Sequence, residues 1–408
     1  MPFIIEFPTQ SKRNTALLIY GAAVFFFWSS LYIYVPTLPL YIQTKTQTLT
    51  YIGVVLSMYG LWQALLRLPL GIAADALGRR KPFIMMCFGL SALGALVMGS
   101  AQDVNGLILG RGISGLAAAG WVPLAVVFSS LFPPQEAVRA SAMLSLINSI
   151  SRMLATSVTG ALNDWSGGFS LAFYIAIGLA SLAILMMLPT HEEKLTPKTS
   201  PPESGHKGHQ LLIVILLPQV LIPSLLGAVN QYAVFSTSYG FFPILAKQFG
   251  ATNILQSAFT SLNLLAIMLG SLLTPMLVKH YRSPRLVYVS FGILSAGIVV
   301  SALSKDLGML MAANLLTGFA TGIGYPILMG LSIERVVEQE RNTAMGVFQS
   351  VYGLGMFGGP WLSGILADSI GIQPMLGLTS VFIIVLGIVG TMVLARIFSP
   401  ESDLRTEA

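Results

Sequence analysis

The chain has 408 residues, of which 54% are hydrophobic and only 9% charged, with a formal net charge of +6. Soluble domains carry roughly 25% charged residues, so a water-solvated fold of two or three domains is excluded and the solvent of this chain is largely lipid. The basic excess is dispersed over short loops rather than gathered into one patch, so no nucleic-acid partner is expected. The sole cysteine, Cys87, lies in an apolar run, and no intrachain disulfide can form.

Twelve apolar runs follow in chain order: 15–42, 50–74, 82–101, 104–131, 139–163 and 168–189, then 211–245, 252–277, 284–303, 306–333, 342–366 and 372–397. Each is about 20 residues or longer, enough for a helix to cross a hydrocarbon core of about 30 Å. Polar 44–50 follows the first run without a small-residue processing site, so that run is expected to stay in the mature protein. The predicted class is an all-α membrane protein of twelve transmembrane helices in two six-helix bundles, 1–190 and 211–408. The polar stretch 191–210, rich in Pro, Ser, Thr, Lys and Glu, is expected to join them as a flexible linker.

The first run carries Phe25-Phe26-Phe27-Trp28, then Tyr32, Tyr34, Pro36 and Pro39. Trp28 and Tyr32 are candidates to stack on a cargo, against the plainer role of packing. In the second run Tyr59, Gln63 and Arg67 recur one turn apart and so share a face. The loop after it reads Gly71-Ile-Ala-Ala-Asp75-Ala-Leu-Gly78-Arg79-Arg80-Lys81. Arg111, in Arg111-Gly112-Ile-Ser-Gly115, lies in the fourth run, and Ser145, Asn148, Arg152, Thr156 and Thr159 form a polar stripe on the fifth. Such a stripe facing lipid would be costly, and it is the expected wall of a cavity. In the second half, Asn230, Tyr232, Asn263, Asn314, Tyr325, Gln349 and Tyr352 supply neutral polar groups at midspans.

Sixteen cations fall on the face of the linker and both termini, among them Lys12, Arg13, Arg79, Arg80, Lys81, Arg139, Lys279, Arg282, Arg335 and Arg341. The opposite face receives only Lys45, Lys247 and Lys305. The first face is therefore expected to be cytoplasmic, in a cell (plasma) membrane. Three basic residues remain within the spans, Arg67, Arg111 and Arg152, and no acidic residue lies at comparable depth. A mid-membrane arginine costs from about 3 to more than 10 kcal/mol, so each needs a wet cavity, backbone carbonyls or an anion. Guanidinium suits carboxylate, sulfonate or phosphate, because its planar fork donates two parallel hydrogen bonds and stays charged.

A repeat offset by about 203 residues relates the halves: Gly115 to Gly318, Pro123 to Pro326, Arg139 to Arg341 and Ala142-Met143 to Ala344-Met345. Together with twelve spans, the central linker and the Gly71–Lys81 loop, it resembles the major facilitator superfamily. That loop is similar to the family's Gly-x-x-x-Asp-x-x-Gly-Arg-Arg/Lys turn between helices 2 and 3. The resemblance implies two parallel six-helix repeats with cargo near the midplane between them. It also implies a gate at Gly71, Asp75, Gly78, Arg79, Arg80 and Lys81, with Asp75 meeting the start of the eleventh helix near Arg341–Ala344. Arg111 resembles the family's helix 4 arginine associated with proton coupling. Gly355 to Gly364 is similar to a helix 5 signature of drug/proton antiporters, here displaced into the eleventh helix.

The expected function is a secondary transporter that works by alternating access and exports a small organic anion or amphipathic metabolite. Its expected cargo contacts are Arg67, Arg152, Gln63, Asn148, Trp28, Tyr32, Asn230, Tyr232, Gln349 and Tyr352, with Arg111 in coupling. The alternatives are a drug/proton antiporter and an anionic-lipid flippase. No Gly-x-x-x-x-Gly-Lys-Ser/Thr loop for ATP occurs, and no cofactor, metal or enzymatic activity is expected. The expected partners are cargo, the lipid bilayer and protons, with the chain acting as a monomer.

Overall fold

A computed structural model describes residues 10–133, 136–190, 214–337 and 340–398. The expected linker, 191–210, lies outside them. Among the described residues every regular element is helical.

In chain order, α1 (Gln10–Tyr32) passes through a 3₁₀ turn (Val35–Thr37) into α2 (Leu38–Gln43). There follow α3 (Leu49–Leu77), α4 (Lys81–Gly99), α5 (Val104–Ala118), α6 (Trp121–Ser130), α7 (Ala137–Ser166) and α8 (Ser170–Met187). In the second half α9 (Pro218–Ser236) passes through a π turn (Thr237–Phe241) into α10 (Phe242–Gln248). The remainder is α11 (Asn253–His280), α12 (Ser283–Ala302), α13 (Leu307–Glu334), α14 (Arg341–Ile370) and α15 (Ile372–Ile397). With α1–α2, α5–α6 and α9–α10 each taken as one broken crossing, twelve long helical stretches result among the described residues. Ten are apolar enough to span a membrane; the other two are α7 and α14. These occupy the same place in the two halves of the sequence, and both are rich in hydroxyl, amide and charged side chains.

The contacts divide the chain into two compact units. Unit 1 comprises Met1–Thr46, Leu65–Lys198 and Thr252–Ser261; unit 2 comprises Gln47–Ala64, Thr199–Ala251 and Leu262–Ala408. Each unit therefore takes one helix end from the other half of the sequence: the start of α11 goes with unit 1 and the first half of α3 with unit 2.

In unit 1, α1 packs on α7 and α8, and α4 packs on α5 and α8. Small residues allow the α4–α5 approach: a Cβ on Gly94 would stand 3.0 Å from the Gly110 carbonyl oxygen, and one on Gly110 equally close to that of Gly94. The α5–α6 break falls four residues before Pro123, which has no N–H to return to the Ala119 carbonyl. Pro36 and Pro39 mark the break after α1, where Asn163 of α7 donates to the Thr37 hydroxyl at 2.8 Å and Thr159 donates to the Ile33 carbonyl. In unit 2, α9 packs on α13, α14 and α15, and α12 packs on α13 and α15. The π turn is held by Ser238, which donates to the Asn314 side-chain oxygen at 2.9 Å, while Asn263 donates to the Asn314 carbonyl at 2.7 Å.

Helix starts repeat too. Asp103 accepts from the Gly106 N–H at 2.9 Å and Asp306 from the Met309 N–H at 2.9 Å, so α5 and α13 carry the same side-chain cap. The Gly106 N–H holds the Asp103 carboxyl below its ordinary value, and the Asn105 amide assists.

Candidate functional site

Unit 1 brings three helices to one aromatic cluster. Trp28 and Tyr32 lie one turn apart on α1, with ring centroids 5.9 Å apart. Trp121, the first residue of α6, meets Trp28 edge-on at 5.4 Å, and Arg152 of α7 lays its guanidinium carbon 4.2 Å over the Tyr32 ring. Trp28 and Tyr32 are buried, whereas Trp121 and Arg152 are only partly so. The Trp28 indole N–H is buried and has no hydrogen-bond partner among the described residues. Asn148, one turn before Arg152, is half-buried.

The stripe on α7 changes character along its length. Ser145 is exposed, Asn148 and Arg152 are intermediate, and Thr156 and Thr159 are buried. The last two serve packing: Thr156 shares a hydrogen bond with Ser261 at 3.0 Å, and Thr159 holds Ile33. Arg67 and Arg111 are both buried, at 4% exposure. Arg111 donates to the Tyr34 hydroxyl, which itself donates to Ser114 at 3.3 Å. That arrangement ties α5 to the break after α1.

Unit 2 has no arginine at this depth among its described residues. Gln63 turns back on its own helix, donating to the Tyr59 carbonyl at 3.1 Å. Asn230 is fully buried, and neither end of its amide has a hydrogen-bond partner among the described residues. Tyr232 packs 5.1 Å from Phe382, its hydroxyl near Ser363 and Thr379. Tyr352 joins Tyr325 and Phe348 in an aromatic trio, each ring pair 5.7–5.8 Å apart. Gln349 is half-buried, its side-chain oxygen without a hydrogen-bond partner among the described residues. Of the expected contacts, Trp28, Tyr32, Arg67, Asn148 and Arg152 belong to unit 1, and Gln63, Asn230, Tyr232, Gln349 and Tyr352 to unit 2.

The loop between α3 and α4 is a left-handed turn at Gly78, with φ 61°, where a side chain would be strained. Arg79 is exposed and Arg80 buried. Lys81 donates to the Leu188 carbonyl at 3.0 Å and to that of Thr190, capping the end of α8. Gly71 lies against Val122. The Asp75 side chain lies outside the described residues.

Sequence reasoning missed Trp121 and Ser238. A tryptophan directly after Gly120 and two residues before Pro123 was the available signal for the first. The serine of the π turn offered none, since only its distant partners single it out.

Chemically, the unit 1 cluster offers a permanent planar cation, aromatic rings and a buried indole donor. The family profile described as Major Facilitator Superfamily matches residues 20–239 and 224–407. An uncharacterized MFS-type transporter of Methanocaldococcus jannaschii is 23% identical over 88% of this chain and 93% of its own length. Multidrug resistance protein 3 of Bacillus subtilis is 21% identical over 70% of this chain and 66% of its own. Among solved structures, a bacterial homolog of the human lysosomal transporter Spinster, in an inward-facing and unoccupied conformation, superposes with a TM-score of 0.77. It is 16% identical, and the match covers 96% of this chain and 100% of that one.

Proposed function

The chain belongs to the Major Facilitator Superfamily, and from that premise we propose that it exports a small organic anion or amphipathic metabolite by alternating access around a midplane site. It is a multi-pass integral membrane transporter of small-molecule cargo. The finer reading places it in the plasma membrane, as a monomer with cytoplasmic termini and a cytoplasmic gate formed by Gly71 to Lys81.

One observation carries the anion: Arg152, half-buried over the Tyr32 ring in the middle of α7. A guanidinium stays charged and its planar fork presents parallel donors, the arrangement that a bound carboxylate or sulfonate matches. Arg67 adds a second buried cation. Arg111, tied to Tyr34, is read as a coupling or positioning group. Efflux needs no proton, because an inside-negative potential drives an anion outward by about 2.3 kcal/mol per charge per 100 mV.

The test is a thermal-shift screen of organic anions on the purified protein, repeated with Arg67→Ala and Arg152→Ala. A charge-assisted hydrogen bond contributes about 1.5–3 kcal/mol, so Arg152→Ala should weaken binding by roughly 10- to 100-fold. Anions that stabilise the wild type and both variants equally would remove the arginines from the site. A second reading, a drug/proton antiporter, draws support from the Bacillus subtilis relative and from the Gly355–Gly364 segment. Cargo flux in proteoliposomes that follows an imposed pH gradient, and not the membrane potential, would favour it.

A further inference from the structure

Offset by 203 residues from Arg79 is Arg282, in the turn Lys279-His280-Tyr281-Arg282-Ser283-Pro284-Arg285 between α11 and α12. In the first turn the cations beside Arg79 are engaged within the protein: Arg80 is buried, and Lys81 donates to the carbonyls of Leu188 and Thr190. In the second turn Lys279, Arg282 and Arg285 are all exposed, and none of their side chains has a hydrogen bond or ion pair among the described residues. Elsewhere in unit 2, Arg335 donates to the Ile397 carbonyl at 2.9 Å and Arg341 to that of Val336 at 3.2 Å. No Asp or Glu occurs between Glu203 and Asp306, so neither α11 nor α12 carries a counter-charge. Cations that only set the topology need nothing beyond their charge. Here Leu272 and Met276, both exposed, lie one turn apart on α11, and Lys279 follows on the same face. Tyr281, also exposed, adds a ring with a polar tip, a type that settles at the level of lipid headgroups.

We propose that the turn between α11 and α12 binds an anionic phospholipid, with an acyl chain along Leu272 and Met276 and the headgroup phosphate held by Lys279, Arg282 and Arg285. The order of the surface matches the order of the lipid, apolar first and then charged. The arginine forks give parallel donors to phosphate oxygens, and the lysine adds a point charge. A free phosphate would meet the cations and leave the apolar face unused. A zwitterionic lipid would cover that face, but its own cation offsets its phosphate. Only an anionic lipid uses both parts, and the site is independent of the cargo reading.

The test uses the full chain, purified in a neutral detergent, and three probes: dioleoyl phosphatidylglycerol, dioleoyl phosphatidylcholine and soluble glycerol 3-phosphate. Binding is read by native mass spectrometry and by the shift in melting temperature. Each basic residue near an anionic surface strengthens attachment about fivefold, so phosphatidylglycerol should bind about tenfold tighter than phosphatidylcholine or better. The combined variant Lys279→Gln, Arg282→Gln, Arg285→Gln should bring the two lipids level. Lys247→Gln with Lys305→Gln, which removes exposed cations from the opposite helix ends, should keep the preference intact. If the combined variant does not fold, the single changes decide: Arg282→Gln should lose about fivefold, and Arg282→Lys, which keeps the charge, should lose less. Equal binding of the two lipids to the wild type overturns the proposal, as does a preference that survives loss of the three cations. So does a control pair that loses as much as the combined variant, since that would reflect net charge and no particular site. Glycerol 3-phosphate that displaces phosphatidylglycerol at comparable concentration would assign the turn to soluble phosphates and overturn the lipid.

Discussion

A methyl group on Gly355 would stand 2.0 Å from the carbonyl oxygen of Ala228, on the backbone of α9. Backbone cannot rotate aside, so Gly355→Ala must push α14 off α9 at a cost of about 1–3 kcal/mol. Gly292 on α12 meets nothing within 4 Å, and Gly292→Ala should instead gain helix propensity of up to about 1 kcal/mol. The melting temperatures of the two variants in one detergent should therefore move in opposite directions, and shifts of equal sign would refute the close-approach account. In the sequence Gly355 was legible only as part of a family-like signature, since a glycine's neighbour across a helix pair leaves no local trace. Arg152 was legible because a charge inside an apolar run is costly and stands out. Trp121 was not, because one more ring in an apolar run carries no such cost and its contact with Trp28 is set by the break at Gly120.

Helix existence and order were readable from hydropathy, and the observed ends fall within a few residues of most expected ones. The three breaks were not, because an average over some twenty residues passes across a turn of four or five. Yet the breaks follow the repeat. Arg111 and Asn314 are 203 positions apart, and each hydrogen-bonds the broken turn of its own unit, at Tyr34 and at Ser238. The ends of α7 and α14 behave in the same paired way. Asp164 accepts from the Asn253 side-chain amide at 2.7 Å, at the start of α11, while Asp368 accepts from the Leu49 N–H at 3.1 Å and the Thr50 hydroxyl at 2.9 Å, at the start of α3. Asp368 thereby supplies from another helix what an N-cap residue supplies from its own, a contribution of about 1 kcal/mol, whereas Asp164 holds a side chain of α11. Asp368→Ala should raise hydrogen exchange in the first turn of α3 several-fold and leave α11 unchanged. Faster exchange at the start of α3 in Asp164→Ala as well would show the two acids are not independent.

At the scale of the whole molecule the charge asymmetry predicts a direction that helix packing alone leaves open. Helix α12 isolates the question, because a single span of 20 residues, about 30 Å long, separates exposed Arg282 from exposed Lys305. Cations are retained on the cytoplasmic side during insertion, and the topology expected from the sequence assigns sixteen of the loop and tail cations to the side of Arg282 and three to that of Lys305. The only cysteine, Cys87, is buried, and Cys87→Ser leaves a chain without native thiols. In that background the Lys305→Cys variant should react with a membrane-impermeant maleimide in intact cells, and the Arg282→Cys variant only after permeabilisation. The same orientation decides what the potential does to cargo, since an anion released on the Lys305 side moves down the inside-negative gradient. Labelling in the reverse pattern would turn both the topology and the proposed direction of transport around.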